Sequence, residues 1–471
     1  MFESTVEHVL FTGVRDRFAD NSLLIAGSRV FTGADLDAMT AGRSVRFKLL
    51  GAGPTRWIGL RVAPTIETVI DLLALWRCGA GVVLLDPKYP PEWETELIQR
   101  TGVAGVLTAG DIADQVVWSD FPEVPSGPAV AVFSSGTESR PRAAVHDLDA
   151  LCFAARAGAA RLGMGEDSVA PLTLPLHHVS GLMTLIRSLI SGAAVRLAGP
   201  EPGWRGLIQA VGFTHVSLVA AQLKQALEDP ALTAALRQAR CVLLGGGPTS
   251  DALLDRAWRA GIPVMNSYGM TETAAMIAVT PPGVNPAGEG ALPLYPECIA
   301  LDESGHILVR GPMLFQGWLE DGHLSPHPLQ PEGWYRTGDT GELDDRGRLR
   351  VQGRADAVII SGGEKIHPER LAMALTDLPG VKAACVVGVP DPAYGEVPAA
   401  ILAMATGYGL PTLESVWECI GKILPAWMRP RYVWPWPEEV CAPGLKPPLH
   451  ELRKWARARM ATGTSGGPRS G

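Results

Sequence analysis

The chain is 471 residues long, with 46% hydrophobic and 19% charged residues and a net charge of −8 at neutral pH. This composition excludes a disordered or fibrous protein, and the length exceeds one ordinary core, so two or three domains are expected. An acidic balance without a basic run disfavours a nucleic-acid partner, because neutralising phosphates requires clustered lysine and arginine.

The acidic N-terminus lacks the basic segment of a secretion signal. The most apolar helical run, Thr68 to Leu85, is broken by Asp71 and Arg77, which argues against a membrane span. Seven cysteines (Cys78, Cys152, Cys241, Cys298, Cys385, Cys419 and Cys441) are scattered singly, suggesting neither a disulfide framework nor a zinc site. A cytoplasmic location is expected.

In chain order, short apolar runs alternate with helical patterns: IGLRVA, TIETVIDLLALWRCG, GVVLL, PPEWETELIQRTG, GVLTA and ALCFAARAGAARLG, then HVSLV, AAQLKQALE, VLLGGG, TSDALLDRAWRAG and PVMNSYG. Strands alternating with helices predict parallel sheets covered on both faces, hence an α/β body. Beyond Pro281 short β-like pieces with turn signals (HILVRG, GWYRTGD, GRLRVQG) predict a β subdomain at about 282–353. A fresh α+β pattern follows. The expected organisation is a large N-terminal domain over 1–353 with parallel or mixed sheets, a small mobile C-terminal domain over 354–460, and a disordered tail over 461–471. The charged junction at Arg354 to Asp356 suits a hinge whose few residues absorb a rotation.

The densest chemistry lies in Tyr335 to Leu371, where Asp339, Arg354, Asp356 and Lys365 sit among glycines. A carboxylate such as Asp339 can accept both hydroxyls of a ribose, and a guanidinium such as Arg354 can fork onto a phosphate. Ser134-Ser135-Gly136-Thr137, after an apolar strand and before Arg142, offers hydroxyls and backbone N–H groups to a polyphosphate without being a Walker loop. Gly246-Gly247-Pro248 ends another strand, where a flat base can lie against the backbone. Twenty residues on, Tyr268 and Gly269 precede Met270, Thr271 and Glu272: Tyr268 can stack on the base, Thr271 can reach a phosphate and Glu272 can supply an oxygen to Mg²⁺. His177 and His178 precede Val179-Ser180-Gly181. Consecutive positions on a strand point apart, so only one, His178, is expected to line a site.

Together and in this order, these motifs resemble the adenylate-forming superfamily of acyl-CoA synthetases, adenylation domains and luciferases: LLALWRCGAGVVLLDPKYP, SSGTESRPRAAVH, SYGMTE, YRTGD, GRADAVIISGGEKIHPERL and a late Lys446. LPLHHVSGL, PRAAVH, ISGGEKIHPE and THVSLVAAQLKQAL most resemble the o-succinylbenzoate–CoA ligase family of menaquinone and phylloquinone biosynthesis. The resemblance implies ATP, Mg²⁺ and coenzyme A as reactants, an acyl-adenylate intermediate and no protein nucleophile, in a monomer or homodimer. It further implies that Lys446 bridges carboxylate and ribose-side oxygens, and that rotation about Asp356 brings the Gly362-Gly363 loop to the site for thioester formation. His178, Ser180, Gly181, Gln222 and Met270 are expected to line an acyl pocket, with Lys224 or a serine receiving the distal carboxylate.

Some positions depart from the family pattern. Glu138, Ser139 and Arg142 stand where threonine, glycine and lysine are usual in the phosphate loop, and a carboxylate there opposes a polyphosphate unless Arg140 or Arg142 pairs with it. Gln225 occupies the usual basic position beside Lys224. Two alternatives stay open: another aryl- or acyl-CoA ligase or carrier-loading enzyme, and a weakly active ATP-binding relative.

Overall fold

The computed structural model describes residues 13–54, 56–108, 110, 129–134, 141–197, 203–210, 212–440 and 449–461. Its broadest layer is a seven-stranded sheet. The order is His323–Pro326, Gly317–Glu320, Arg142–Asp147, Ala129–Ser134, Gly81–Leu85, Trp57–Arg61 and Gly105–Thr108, with the last four parallel and the first three antiparallel. Gly81–Leu85 is buried throughout, as a continuous apolar run requires when both faces of a sheet are covered. The helix Ile66–Arg77 starts where the Thr65 hydroxyl accepts the Thr68 N–H. It is almost wholly buried. Of its three charged residues, Glu67 and Arg77 sit half-buried at its two ends, Arg77 pairing with Asp37 at 2.7 Å, and the buried Asp71 pairs with Arg43 at 2.8 Å. No described helix is long and apolar enough to cross a membrane.

A second sheet runs His215–Leu218, Cys241–Leu244 and Val264–Met270 in parallel, then Ala275–Val279 and Leu292–Pro293 antiparallel. A third, of four strands, is built on Ser22–Ala26 and Ala194–Leu197. A fourth is fully antiparallel: Ile299–Leu301, His306–Val309, Tyr335–Leu343 and Leu349–Arg354.

The β subdomain expected over 282–353 is not one unit. Gly317–Glu320 and His323–Pro326 leave it to extend the seven-stranded sheet through Arg142–Asp147, and Leu292–Pro293 joins the second sheet. Edge pairing between distant segments, which turn signals do not encode, decides their place.

From 359 onward the chain builds its own α+β lobe. Val381–Asp391 and Gly395–Met404 pair over their length, and alternate residues enter two cores. Ala384, Val386, Ala400 and Leu402 face the helices Pro368–Thr376 and Leu413–Ile420, while Cys385, Val387, Ala399 and Ile401 face Leu449–Ala461. All six described cysteines are free thiols, and five are buried.

Candidate active site

The strand Cys241–Leu244 ends opposite Asn266 of the parallel strand Val264–Met270, which runs on to Met270, and the crevice beyond the carboxyl ends of such strands is where open α/β sheets bind ligands. Gly246, Gly247 and Pro248 are exposed at the first end. At the second, Gly269 is indispensable: a Cβ there would run into the Ala275 carbonyl. The short turn Thr271–Thr273 follows, then Ala274 and Ala275 at φ of 49° and 71°, strained for residues with side chains. The Thr273 hydroxyl bridges this turn, accepting from Met270 N–H at 3.1 Å and donating to the Ala275 carbonyl at 2.8 Å. Phe315 N–H donates to the Glu272 carbonyl at 2.9 Å. Thr271 and Glu272 are thus presented, half-buried, on a turn fixed from several sides.

The antiparallel strands Tyr335–Leu343 and Leu349–Arg354 put Asp339 directly opposite Arg354. The Tyr268 hydroxyl donates to Asp339 at 2.8 Å, joining the two motifs. Burial, then the neighbouring Asp339 carboxylate, holds the Tyr268 hydroxyl well above its ordinary pKa, so it remains a donor. The Arg354 guanidinium lies over Gly338, in space a side chain would fill. It forks onto Asp356 at 3.0 and 3.1 Å and stands 3.8 Å from Asp339. Arg354 N–H also donates to Glu369 Oε1 at 3.2 Å, while Glu369 Oε2 is buried without a partner among the described residues. The proposed nucleotide contacts and the proposed pivot therefore share one arginine.

Ser134 lies at a strand end opposite Arg142. Arg142, expected at a phosphate, is drawn elsewhere: its guanidinium lies 4.1 Å over the Trp318 ring and 3.4 Å from Glu320. Ser135, Gly136, Thr137, Glu138, Ser139 and Lys446 lie outside the described residues. Gly362 and Gly363 form a hairpin on the small lobe, held by Gly362 N–H donating to the Tyr394 carbonyl at 2.9 Å.

Around the expected acyl pocket, His178 caps the helix Val179–Ser191, so the backbone turns instead of running as a strand. The His177 and His178 rings consequently sit 4.4 Å apart rather than on opposite sides. His177 also approaches Asp86 at 3.4 Å. Ser180 is half-buried, and Gly181 packs against the backbone of Leu174 and Pro175. Met270 begins the Thr271 turn. Gln222 ties two strand ends together, accepting from Val219 N–H at 3.0 Å and donating to the Thr173 carbonyl at 3.4 Å.

Lys224 is the clearest correction. Its ammonium donates to the Thr376 carbonyl at 2.7 Å and the Val381 carbonyl at 2.8 Å, both on the small lobe, so it does not face the pocket to receive a carboxylate. Ser250 adds a second contact to that lobe through Asp377 at 2.9 Å.

A cation that sequence reasoning missed is Arg187, the one charge in the helix VSGLMTLIRSLIS. It is 6% exposed, and no carboxylate among the described residues acts on it. Burial pushes its pKa down to about 10. With Thr184, His215 and Ser217 it lines a small cavity of about 10 Å³, the room of one water. A lone arginine on an otherwise apolar helix was the available signal.

Among the described residues no cluster of three or more metal-ligating side chains exists. Mg²⁺ held with phosphates takes only one or two protein oxygens, and Glu272 stands half-buried on its fixed turn with a carboxylate of the kind that supplies one.

A family model for AMP-binding enzymes matches residues 115–319, and one for the AMP-binding enzyme C-terminal domain matches 371–442. A 2-succinylbenzoate–CoA ligase of Listeria monocytogenes is 34% identical over 356 residues, 71% of this chain and 76% of that protein. One of Geobacillus kaustophilus is 31% identical over 418 residues, 81% and 84% of the two chains. The solved o-succinylbenzoate CoA synthetase from Bacillus subtilis, in complex with the acyl-adenylate intermediate OSB-AMP, matches with a TM-score of 0.82 at 24% identity, covering 94% of this chain and 98% of that one. At that identity the structural likeness speaks for the fold.

Proposed function

The chain belongs to the AMP-binding enzyme family, and on that premise we propose that it is an ATP-dependent carboxylate–CoA ligase that converts o-succinylbenzoate to o-succinylbenzoyl-CoA in menaquinone or phylloquinone biosynthesis, in the cytoplasm. The observation that carries the ATP-activating chemistry is the Tyr268–Asp339–Arg354 cluster, set beside a fixed Thr271–Glu272 turn at the ends of two parallel strands.

A carboxylate oxygen of the acid attacks the α-phosphorus of MgATP, and the bond to the bridging oxygen breaks to release pyrophosphate. The thiol of CoA then loses its proton to solvent, its sulfur attacks the acyl carbon, and AMP leaves. Nothing in this scheme needs a protein nucleophile, so catalysis rests on positioning and on donors aimed at developing charge. Asp339 holds the ribose hydroxyls, the exposed Gly246-Gly247-Pro248 floor and the Tyr268 ring flank the base, and Thr271 with the Ser134 loop addresses phosphate. Glu272 would supply one oxygen to Mg²⁺, whose charge offsets that of the phosphates. Lys446 bridges the substrate carboxylate in the first half-reaction, and the Gly362-Gly363 hairpin admits pantetheine in the second. His178, Ser180, Gly181 and Met270 line the space for the aromatic ring.

Arg187, in place of Lys224, is our choice for the distal carboxylate of the acid. A buried guanidinium with no carboxylate of its own among the described residues is a ready partner for one brought by substrate. Arg187→Met should raise KM for o-succinylbenzoate about 10- to 100-fold, because a charge-assisted hydrogen bond is lost, and leave any turnover of plain benzoate unchanged. Thioester formation from o-succinylbenzoate, ATP and CoA tests the whole reading. Faster turnover of benzoate or a fatty acid at equal concentration would remove the substrate assignment.

A further inference from the structure

Resting on the ATP-activating reading, we infer that His146 is a positioning residue for MgATP, acting through a hydrogen bond from its ring to the backbone of the Thr271–Glu272 turn. His146 is fully buried on the strand Arg142–Asp147, which leads away from the phosphate loop. Its Nε2 lies 2.7 Å from the Thr271 carbonyl oxygen. A carbonyl only accepts, so Nε2 carries the hydrogen and Nδ1 is a bare acceptor. Nδ1 is buried and has no partner among the described residues.

That arrangement is a poor way to fill a core. An apolar side chain would occupy the same volume without burying an unmatched acceptor. The imidazole is therefore best explained by its one bond, and that bond has a specific target. The turn it grips carries Thr271 and Glu272 and runs into the strained Ala274 and Ala275, a conformation that persists only where its surroundings over-determine it. Two consecutive carbonyls are held from outside the turn: Thr271 O by His146, and Glu272 O by Phe315 N–H. His146 thus ties the seven-stranded sheet, on which Ser134 ends a strand, to the second sheet, whose strand Val264–Met270 leads into Thr271 and Glu272. The ring stays neutral through the working range, because burial lowers its pKa to about 4.

The amide pair Asn and Gln separates this role from simple packing. The Gln nitrogen reaches the place of Nε2, whereas the Asn nitrogen reaches only that of Nδ1. In titration calorimetry with MgATP, His146→Asn should weaken binding about 3- to 10-fold, the worth of one hydrogen bond, and His146→Gln should stay close to the parent. In pyrophosphate–ATP exchange the same split should appear in KM for MgATP and not in KM for the acid. Two variants that behave alike, whether both match the parent or both are equally damaged, overturn the inference. Absence of acid-dependent exchange in the parent protein counts instead against the ATP-activating reading, since the calorimetric comparison needs no turnover.

Discussion

The Thr271–Glu272 turn and the junction between the lobes are built from opposite materials. Around Thr271 and Glu272 the contacts are short, largely neutral hydrogen bonds onto backbone, set in a buried frame with two strained alanines. Around Arg354 and Asp356, and again at Lys224, they are charged groups at least partly open to solvent, gripping another charge or a pair of carbonyls. Partly exposed charged contacts are individually weak and easily exchanged for water, whereas buried backbone bonds are costly to leave unmade. A two-step adenylating enzyme needs both properties: a fixed grip on phosphate and a lobe that can let go.

The sharpest way to break this contrast is at the proposed pivot. Asp356→Pro fixes φ near −65° and should hold the lobe in one orientation, so that one half-reaction persists and the other is lost. Separate assays of pyrophosphate release and of thioester formation from supplied adenylate check it, and retention of both would remove rotation about this residue.

In the fixed region, Gly269→Ala should lower acid-dependent exchange on the order of 10²-fold by pushing the turn off the Ala275 carbonyl, since small displacements at a positioned site are that expensive. Steady-state exchange with circular dichroism to verify folding is sufficient.

At the second inter-lobe contact, Lys224→Met should change the ratio of the two half-reaction rates only a few-fold, in keeping with a partly exposed charged contact. Effects of the size expected for Gly269→Ala would mean that the lobe is held more firmly than this account allows.

The smallest effect concerns stability. Burial raises the Glu369 carboxyl above its ordinary value of 4.5, so the fold favours the protonated form. Stability from this group is full below pH 4.5 and lost as pH rises through the folded pKa. Glu369→Gln keeps an acceptor for Arg354 N–H and removes the charge, so Tm should rise at pH 7 and the gain should vanish toward pH 4. Thermal melts across that range decide the sign.

Much of this was legible in the chain. Helix Ile66–Arg77, with Thr65 before it, and the strands ending at Leu244 and Met270 follow from periodicity and turn chemistry. The meeting of Tyr268 with Asp339 and Arg354 followed from motifs rather than local pattern. What stayed hidden depends on segments far apart in sequence. Gly317–Glu320 finds its partner far upstream in Arg142–Asp147, Gly317 pairing with Val145 and Leu319 with Ala143. Lys224 looks like a pocket residue until Thr376 and Val381 are seen to receive it. Arg187 and His146 announced themselves only as polar residues in apolar runs, a signal that says something must satisfy them without saying what.

The most direct test is exchange of labelled pyrophosphate into ATP by the purified protein, with and without o-succinylbenzoate. Exchange that depends on the acid, and that falls sharply in Gly269→Ala, is the expected result. No exchange with o-succinylbenzoate or any other carboxylate offered would contradict a crevice that grips MgATP to activate an acid.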